Sequence, residues 1–258
     1  MSGVEKLQRL WRYGRPYRRV FGAVDGSRLA WNVADAEYRR PAGELVPVRV
    51  PGWREPILLR AQSTDIEVFR QLLLDAEFQL PLTPAPARIL DGGANIGLAS
   101  LLFSRWWPGA SIVGVELEPQ NVELARRNCA HLPNVRILHA ALWGSSGRVA
   151  VANPDADTHS FRADASQQHG DIRAYRIGEL LDELGWATVD LVKLDIEGAE
   201  RVVLGDQAGW LPRVQHLLIE LHDRFEPGCT DAFEAAVSGP EWSVQQLGEY
   251  FLASRRSG

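Results

Sequence analysis

The chain has little lysine, cysteine or methionine. Its 258 residues include two lysines (Lys6 and Lys193), two cysteines and one methionine, against 26 arginines. Cys129 and Cys229 are too few for a disulfide framework, and no Cys-x-x-Cys pair suggests zinc. This cysteine usage fits a reducing compartment, so a cytoplasmic location is expected. Long hydrophobic runs are missing as well. Stretches such as Leu98–Phe103 fall far short of the about 20 residues that cross a bilayer. No charged-then-apolar segment with a small-residue cleavage site opens the sequence, so no signal peptide and no membrane partner are expected.

What is there is ordinary globular composition, 45% apolar and 24% charged, which excludes disordered, collagen-like and low-complexity classes. Charge is unevenly spread. Residues 1–40 carry nine basic and four acidic side chains, so the remainder carries a net −10 of the total −5. An acidic body argues against nucleic acid as a partner. The basic start reads as the solvated arginine face of a helix over Val4–Val20. Lys193 is the only lysine beyond that arm.

Extended stretches are expected at Arg28–Val33, Leu45–Val50 and Pro56–Ala61, with Val46, Val48 and Val50 alternating as in a half-buried strand. Ser63 or Thr64 can cap a helix over Ile66–Phe78, because Glu67 stands three residues past Thr64. Pro81, Pro84 and Pro86 then break the chain. This divides an N-terminal α+β extension (1–86), expected to cap the ligand site, from a main domain (87–258). In the main domain, strands Arg88–Asp91, Ser111–Glu116, Val135–Ala140, Val189–Leu194 and His216–Leu221 alternate with helices Ile96–Trp106, Pro119–His131, Ile177–Leu184 and Ala199–Leu204. A C-terminal helix and strand follow, and Trp143–His169 reads as irregular. Repeated β-α-β with apolar strands means an α/β fold on a parallel sheet, with ligands at the carboxyl ends of its strands.

The strongest local signal is Asp91-Gly-Gly-Ala-Asn-Ile-Gly97, between a strand and a helix. Gly92, Gly93 and Gly97 let the backbone turn tightly and approach a ligand, and Ala94 and Asn95 lie at the open helix start. Glu116 ends the next strand, where a ribose-binding carboxylate belongs. Two cofactors compete for this arrangement. A dinucleotide asks for G-x-G-x-x-G and a pyrophosphate. This turn opens with a carboxylate instead, which suits the ammonium and sulfonium of S-adenosylmethionine. A ligand-free turn is the third reading.

The blocks Ile89–Gly97, Val115–Asn121, Arg127–Cys129, Leu191–Glu200 and Leu218–His222 resemble the FkbM-type methyltransferases, and Leu59–Phe69 is similar to that family's lead-in. The most specific block is Lys193-x-Asp195-x-Glu197-Gly198-x-Glu200. The resemblance covers about residues 56–224. It implies a Rossmann-like class I methyltransferase fold: a seven-stranded, mostly parallel sheet with helices on both faces and a final antiparallel hairpin. It also implies S-adenosylmethionine as methyl donor, S-adenosylhomocysteine as product, and a hydroxyl on a sugar or natural product as acceptor. One departure is Arg176-Ile-Gly-Glu179, where the family often has Thr-Leu-Asp.

Methyl transfer to a hydroxyl needs in-line positioning and a place for the proton. Glu220 and His222 alternate on one strand end, and Lys193 and Asp195 on its neighbour, with Glu197 just beyond. His222 is the first candidate for general base, because an ordinary imidazole titrates near working pH. The alternative is a histidine that only hydrogen-bonds Asp195 or Glu197. Asp195 can orient the donor's amino group or the acceptor, and Lys193 can hold an acceptor oxygen or neutralise Asp195. Glu197 and Glu200 can equally be acids at a helix start.

Leu117, Ala141 and Leu142 follow strands where the adenosine should lie. Thr64 and Asp65 are candidates to close over the cofactor, or simply the helix cap. His159 and Ser160, with Glu220, are candidate acceptor contacts, and Trp11, Trp31 and Trp53 offer an acceptor wall or a dimer contact. Asp195, Glu197, Glu220 and His222 are ligand types for Mg²⁺ or Mn²⁺. The acidic pattern of metal-dependent methyltransferases is missing, so no required metal is expected, although Mg²⁺ is admissible. A homodimer is compatible with the sequence. Methylation of a carboxylate, amine or peptide is the alternative reaction, and a non-catalytic nucleotide-binding module the alternative class.

Overall fold

Alternation of apolar strands with helices builds the main part of the chain, and the computed structural model describes residues 13–74, 80–151, 163–164 and 170–256. Two units separate, Met1–Phe78 and Gln79–Gly258.

In the first unit, residues 13–21 form α1, followed by α2 (Ala23–Tyr38). The stretch Arg28–Val33, expected to be extended, lies inside α2. Gly26, Leu29, Ala30, Val33 and Ala36 are its buried positions, and their spacing is helical, outweighing the local β-branched residue. Strands β1 (Leu45–Val48) and β2 (Ile57–Arg60) form an antiparallel pair, and α3 runs Asp65–Leu74. Asp65 is fully buried and takes a two-pronged ion pair from Arg60, with Nε to Oδ2 at 2.9 Å and Nη2 to Oδ1 at 2.8 Å. The Arg60 backbone N–H adds a third bond to Oδ2 at 2.8 Å.

The second unit holds β3 (Arg88–Gly92), α4 (Leu98–Trp106), β4 (Ser111–Glu116), α5 (Pro119–Cys129), β5 (Val135–His139), β6 (Ala141–Leu142), β7 (Gly147–Val151), β8 (Ala163–Asp164) and β9 (Ile172–Tyr175). It continues with α6 (Ile177–Glu183), β10 (Val189–Leu194), α7 (Glu200–Gly205), β11 (Val214–Glu220), α8 (Cys229–Ala236), β12 (Trp242–Leu247) and β13 (Tyr250–Arg255). The large sheet has the order β12-β13-β11-β10-β3-β4-β5. Its five central and edge strands from β11 to β5 are parallel, and β13 and β12 close it as an antiparallel hairpin. Strand order reverses between β3 and β10, so the carboxyl ends of those two strands are the switch point where such sheets bind ligands.

Near-continuous burial along β3, β4, β10 and β11 shows both faces covered. Leu90, Val192, Leu217, Ile219 and Trp210 are among the core side chains. Each large side chain buried this way contributes about 1.5–3 kcal/mol. Two elements differ from expectation. The stretch read as irregular contains β7, which pairs with β9 in a small separate sheet. The end of the chain contributes two strands rather than one.

His216 on β11 is buried, with Nδ1 2.8 Å from Ser254 Oγ. Burial lowers its pKa below 6.5, and the charge of Asp190 only partly opposes this. The folded chain therefore keeps a neutral imidazole, while the unfolded chain takes a proton below about pH 6.5. His216 should support the fold fully above that pH and progressively less below it. In urea unfolding, the stability gap between the native chain and His216→Gln should be wider at about pH 7.5 than at about pH 5.5. An equal gap would mean that His216 does not titrate with folding.

Candidate functional site

The glycine turn leaves β3 and enters α4 at the switch point. Gly93 has φ +73°, and a Cβ placed on it would lie 1.7 Å from the Asp195 carbonyl oxygen. Only glycine lets the turn pass this close to the end of β10. Gly97 has φ +85° and caps α4 against α5, where a Cβ would meet Ala125 Cα at 3.2 Å. The N–H groups of Gly93 and Ala94 both bond the Val115 carbonyl at 3.0 Å, tying the turn to β4. Glu116 Oε2 accepts the Asn95 N–H at 2.8 Å, and Oε1 accepts the Glu118 N–H at 2.8 Å. Burial pushes the Glu116 carboxyl up from its ordinary pKa, against those two bonds. Leu142 reaches the same place, since a Cβ on Gly92 would lie 2.6 Å from its Cδ1. Ala141 is buried beside it in sequence, and Leu117 gives its carbonyl to His139 Nε2 at 3.1 Å.

Asp91 is fully buried. Its Oδ2 accepts from Ser100 Oγ at 2.6 Å, and its Oδ1 lies 3.3 Å from Lys193 Nζ. Its carboxylate is thus taken up by α4 and β10 and anchors the turn. Lys193 is 3% exposed, and its ammonium also reaches the Gly93 carbonyl at 3.2 Å and Asp195 Oδ2 at 3.4 Å. Burial alone would lower its pKa, but Asp195 and Asp91 raise it, so it remains a cation.

The second cluster lies where β10 and β11 end. His222 is 2% exposed, and its Nδ1 meets Glu200 Oε1 at 2.8 Å. Its Nε2 faces Glu220 Oε1 at 3.3 Å, Glu197 Oε2 at 3.7 Å and Asp195 Oδ1 at 3.8 Å. Desolvation disfavours the charged ring. The bonds to Glu200 and Glu220 override it and push the His222 pKa up to about 11. The expectation of a free imidazole base rested on an ordinary pKa. Here His222 is instead a cation that gathers carboxylates. Burial also acts against an ionised Asp195, but the charges of Lys193 and His222 hold its pKa below the usual value. Burial raises Glu197 to about 7, and Glu197 Oε2 is buried without a hydrogen-bond partner.

Two residues here escaped sequence reasoning. From sequence, Glu200 reads as a helix-start acid. It is that, accepting the N–H groups of Ile196 (3.1 Å) and Gly198 (2.9 Å), but it also orients His222. The i, i+3 spacing from Glu197 in the specific block was the available signal. Tyr250 donates its hydroxyl to Asp195 Oδ2 at 3.0 Å. It comes from the hairpin, with no local motif to mark it.

His159 and Ser160, with Trp11 and the expected helix before residue 13, lie outside the described residues. Thr64 and Asp65 belong to the first unit. There the Thr64 carbonyl accepts the Glu67 N–H at 2.9 Å, and Arg60 occupies the Asp65 carboxylate. The structure thus brings together Asp91–Gly97, Glu116, Leu142, Lys193, Asp195, Glu197, Glu220 and His222.

A seven-stranded sheet of this order, with a glycine turn at its reversal point and the final hairpin, is the class I methyltransferase fold. The model of the methyltransferase FkbM domain matches residues 91–240, more than half of the chain, and the chain belongs to that family of S-adenosylmethionine-dependent methyltransferases. It is 26% identical over 224 residues to the methyltransferase sdnD of Sordaria araneosa, covering 70% of this chain and 86% of that protein. It is 24% identical over 184 residues to the 2-O-methyltransferase NoeI of Sinorhizobium fredii, covering 64% and 73%. Against the 31-O-demethyl-FK506 methyltransferase FkbM of Streptomyces tacrolimicus it is 26% identical over 170 residues, covering 52% and 65%.

Among the described residues, no helix is long and apolar enough to cross a membrane.

Lys193 presents three donors in three directions, a geometry a planar guanidinium cannot copy. Lys193→Arg should therefore lose S-adenosylhomocysteine binding by calorimetry about as fully as Lys193→Met. Retained affinity in the arginine variant would show that charge alone suffices.

Proposed function

We propose that the chain transfers a methyl group from S-adenosylmethionine to a hydroxyl of a sugar or natural-product small molecule. The observation that carries this reading is the buried Glu197 carboxylate, aimed at His222 Nε2 beside the glycine turn. The similarity to the 2-O-methyltransferase NoeI and to the 31-O-demethyl-FK506 methyltransferase FkbM, both named for methylation at oxygen, supports it.

The turn fits the cofactor. Gly92 and Gly93 let the backbone lie tight against the end of β10, Asn95 Oδ1 is buried without a hydrogen-bond partner, and Glu116 retains lone pairs for ribose hydroxyls. Asp195, the least buried acid of the cluster, would hold the donor's ammonium. Bound S-adenosylmethionine supplies an electrophilic methyl group.

The chain's own residues do the rest. As the acceptor oxygen bonds to the methyl carbon and the carbon–sulfur bond breaks, Glu197 Oε2 takes the hydroxyl proton. A carboxyl poised near neutral pH is suited to that step. Glu220 orients the acceptor hydroxyl, and His222 keeps three carboxylates close together without their mutual repulsion opening the site. Tyr250 and Lys193 fix Asp195.

Hydroxylated acceptors incubated with the enzyme and S-adenosylmethionine should gain one methyl group by mass spectrometry. Glu197→Gln should lower kcat by about 10²–10⁴-fold while S-adenosylhomocysteine affinity is kept. Methylation of carboxyl or amine acceptors, with Glu197→Gln fully active, would replace this reading by the alternative reaction.

A further inference from the structure

We propose that Asp195, Glu220 and His222 bind one divalent cation of the Mn²⁺ or Mg²⁺ type, with Glu197 facing the bound ion. One oxygen of each carboxylate and one imidazole nitrogen lie within 4.8 Å of one another. From His222 Nε2, Glu220 Oε1 is at 3.3 Å and Asp195 Oδ1 at 3.8 Å. An ion with bonds of about 2.1 Å spans ligand atoms up to roughly 4.2 Å apart, so both distances suit a shared ion. The ring is already oriented for this. Its Nδ1 faces Glu200 Oε1 at 2.8 Å, and metal-binding histidines characteristically give their second N–H to a carboxylate.

Glu197 is the independent observation. Its side chain is 10% exposed, its Oε2 has no hydrogen-bond partner, and it points at the same nitrogen from 3.7 Å. A proton on Nε2 serves one acceptor well, and Glu220 is the nearest. It leaves Asp195 and Glu197 converging on a point they do not bond. A divalent cation that displaces the Nε2 proton would bind the ring, Glu220 and Asp195 together and place its charge beside Glu197. Two carboxylates and one imidazole suit Mn²⁺ or Mg²⁺ better than soft ions, which prefer sulfur.

The sequence argued against a required metal because the familiar acidic spacing is missing. These ligands come from two neighbouring strand ends, and it is the sheet that makes them one site. The inference deepens the proposed oxygen methylation and rests on it. An ion held there would offer an open position to the acceptor hydroxyl oxygen and make its proton easier to lose, with Glu197 beside it.

The test uses the full chain, stripped with EDTA. Mn²⁺ binding is followed by loss of the free-ion electron paramagnetic resonance signal, and S-adenosylhomocysteine binding by separate calorimetry. One Mn²⁺ per chain is expected, displaced by excess Mg²⁺. Glu220→Gln should weaken Mn²⁺ at least about 10-fold with S-adenosylhomocysteine affinity little changed, and Glu200→Gln, acting through the far ring nitrogen, about 10–100-fold. The proposal is overturned by no bound Mn²⁺ up to about 1 mM, or by binding that Glu220→Gln leaves intact. Should Glu220→Gln not fold, Asp195→Asn is judged by its Mn²⁺ binding alone, which should weaken by the same factor. Specific Mn²⁺ binding without S-adenosylhomocysteine binding would sink the donor assignment and leave the metal site standing.

Discussion

A single ammonium group joins the two halves of the sheet where strand order reverses. Lys193 stands opposite Asp91 in the register of β10 and β3, and its Nζ is shared among Asp91, Asp195 and the Gly93 carbonyl. Both carboxylates would otherwise be buried or half-buried negative charges with too few partners. Removing one member of such a buried ion pair typically costs about 3–5 kcal/mol. The Asp195 N–H also bonds the Gly92 carbonyl at 3.1 Å, and Gly93 carries no Cβ to hold the strands apart. The glycine turn, the end of β10 and the ion pair are therefore one construction.

Beyond that tie, the site is strongly unbalanced in charge. Asp195, Glu197, Glu200 and Glu220 surround one imidazole, and Lys193 offsets only part of the excess. Local backbone is bent to achieve this. Glu197 has φ +53° and Gly198 φ +97°, so two consecutive residues occupy the left-handed region. For the glutamate this conformation costs of order 1–2 kcal/mol. The turn folds the Ile196 and Gly198 N–H groups onto Glu200, and Glu200 in turn orients His222. A pocket so rich in carboxylate favours cationic ligands, whether a sulfonium, an ammonium or a metal ion.

The sequence made the parallel core legible because its strands are short apolar runs between glycine and proline breaks. Asp91–Gly97, Glu116, the Lys193–Glu200 block and Glu220–His222 could be placed at strand ends for the same reason. Alternation put Glu220 and His222 on one face, and the structure brings both to one point. What could not be read were interactions that depend on distant pairing. Tyr250 meets Asp195 only because β13 returns antiparallel beside β11, opposite Glu220. The shift of His222 away from an ordinary imidazole depends on how many carboxylates converge, which spacing alone does not count. In the first unit, Arg28–Val33 looked extended in a short window, and the helical period emerges only over the full length of α2.

The burial of Lys193 also has a practical chemical meaning. Arginine guanidinium groups do not react with ordinary acylating reagents, and Lys6 is the only other lysine. At 3% exposure, the Lys193 amine is shielded and held charged by its two carboxylates. Acylation at residue 193 can then proceed only when β3 and β10 part at their carboxyl ends. In this lysine-poor chain, the mass of one peptide becomes a clock for the opening of the switch point.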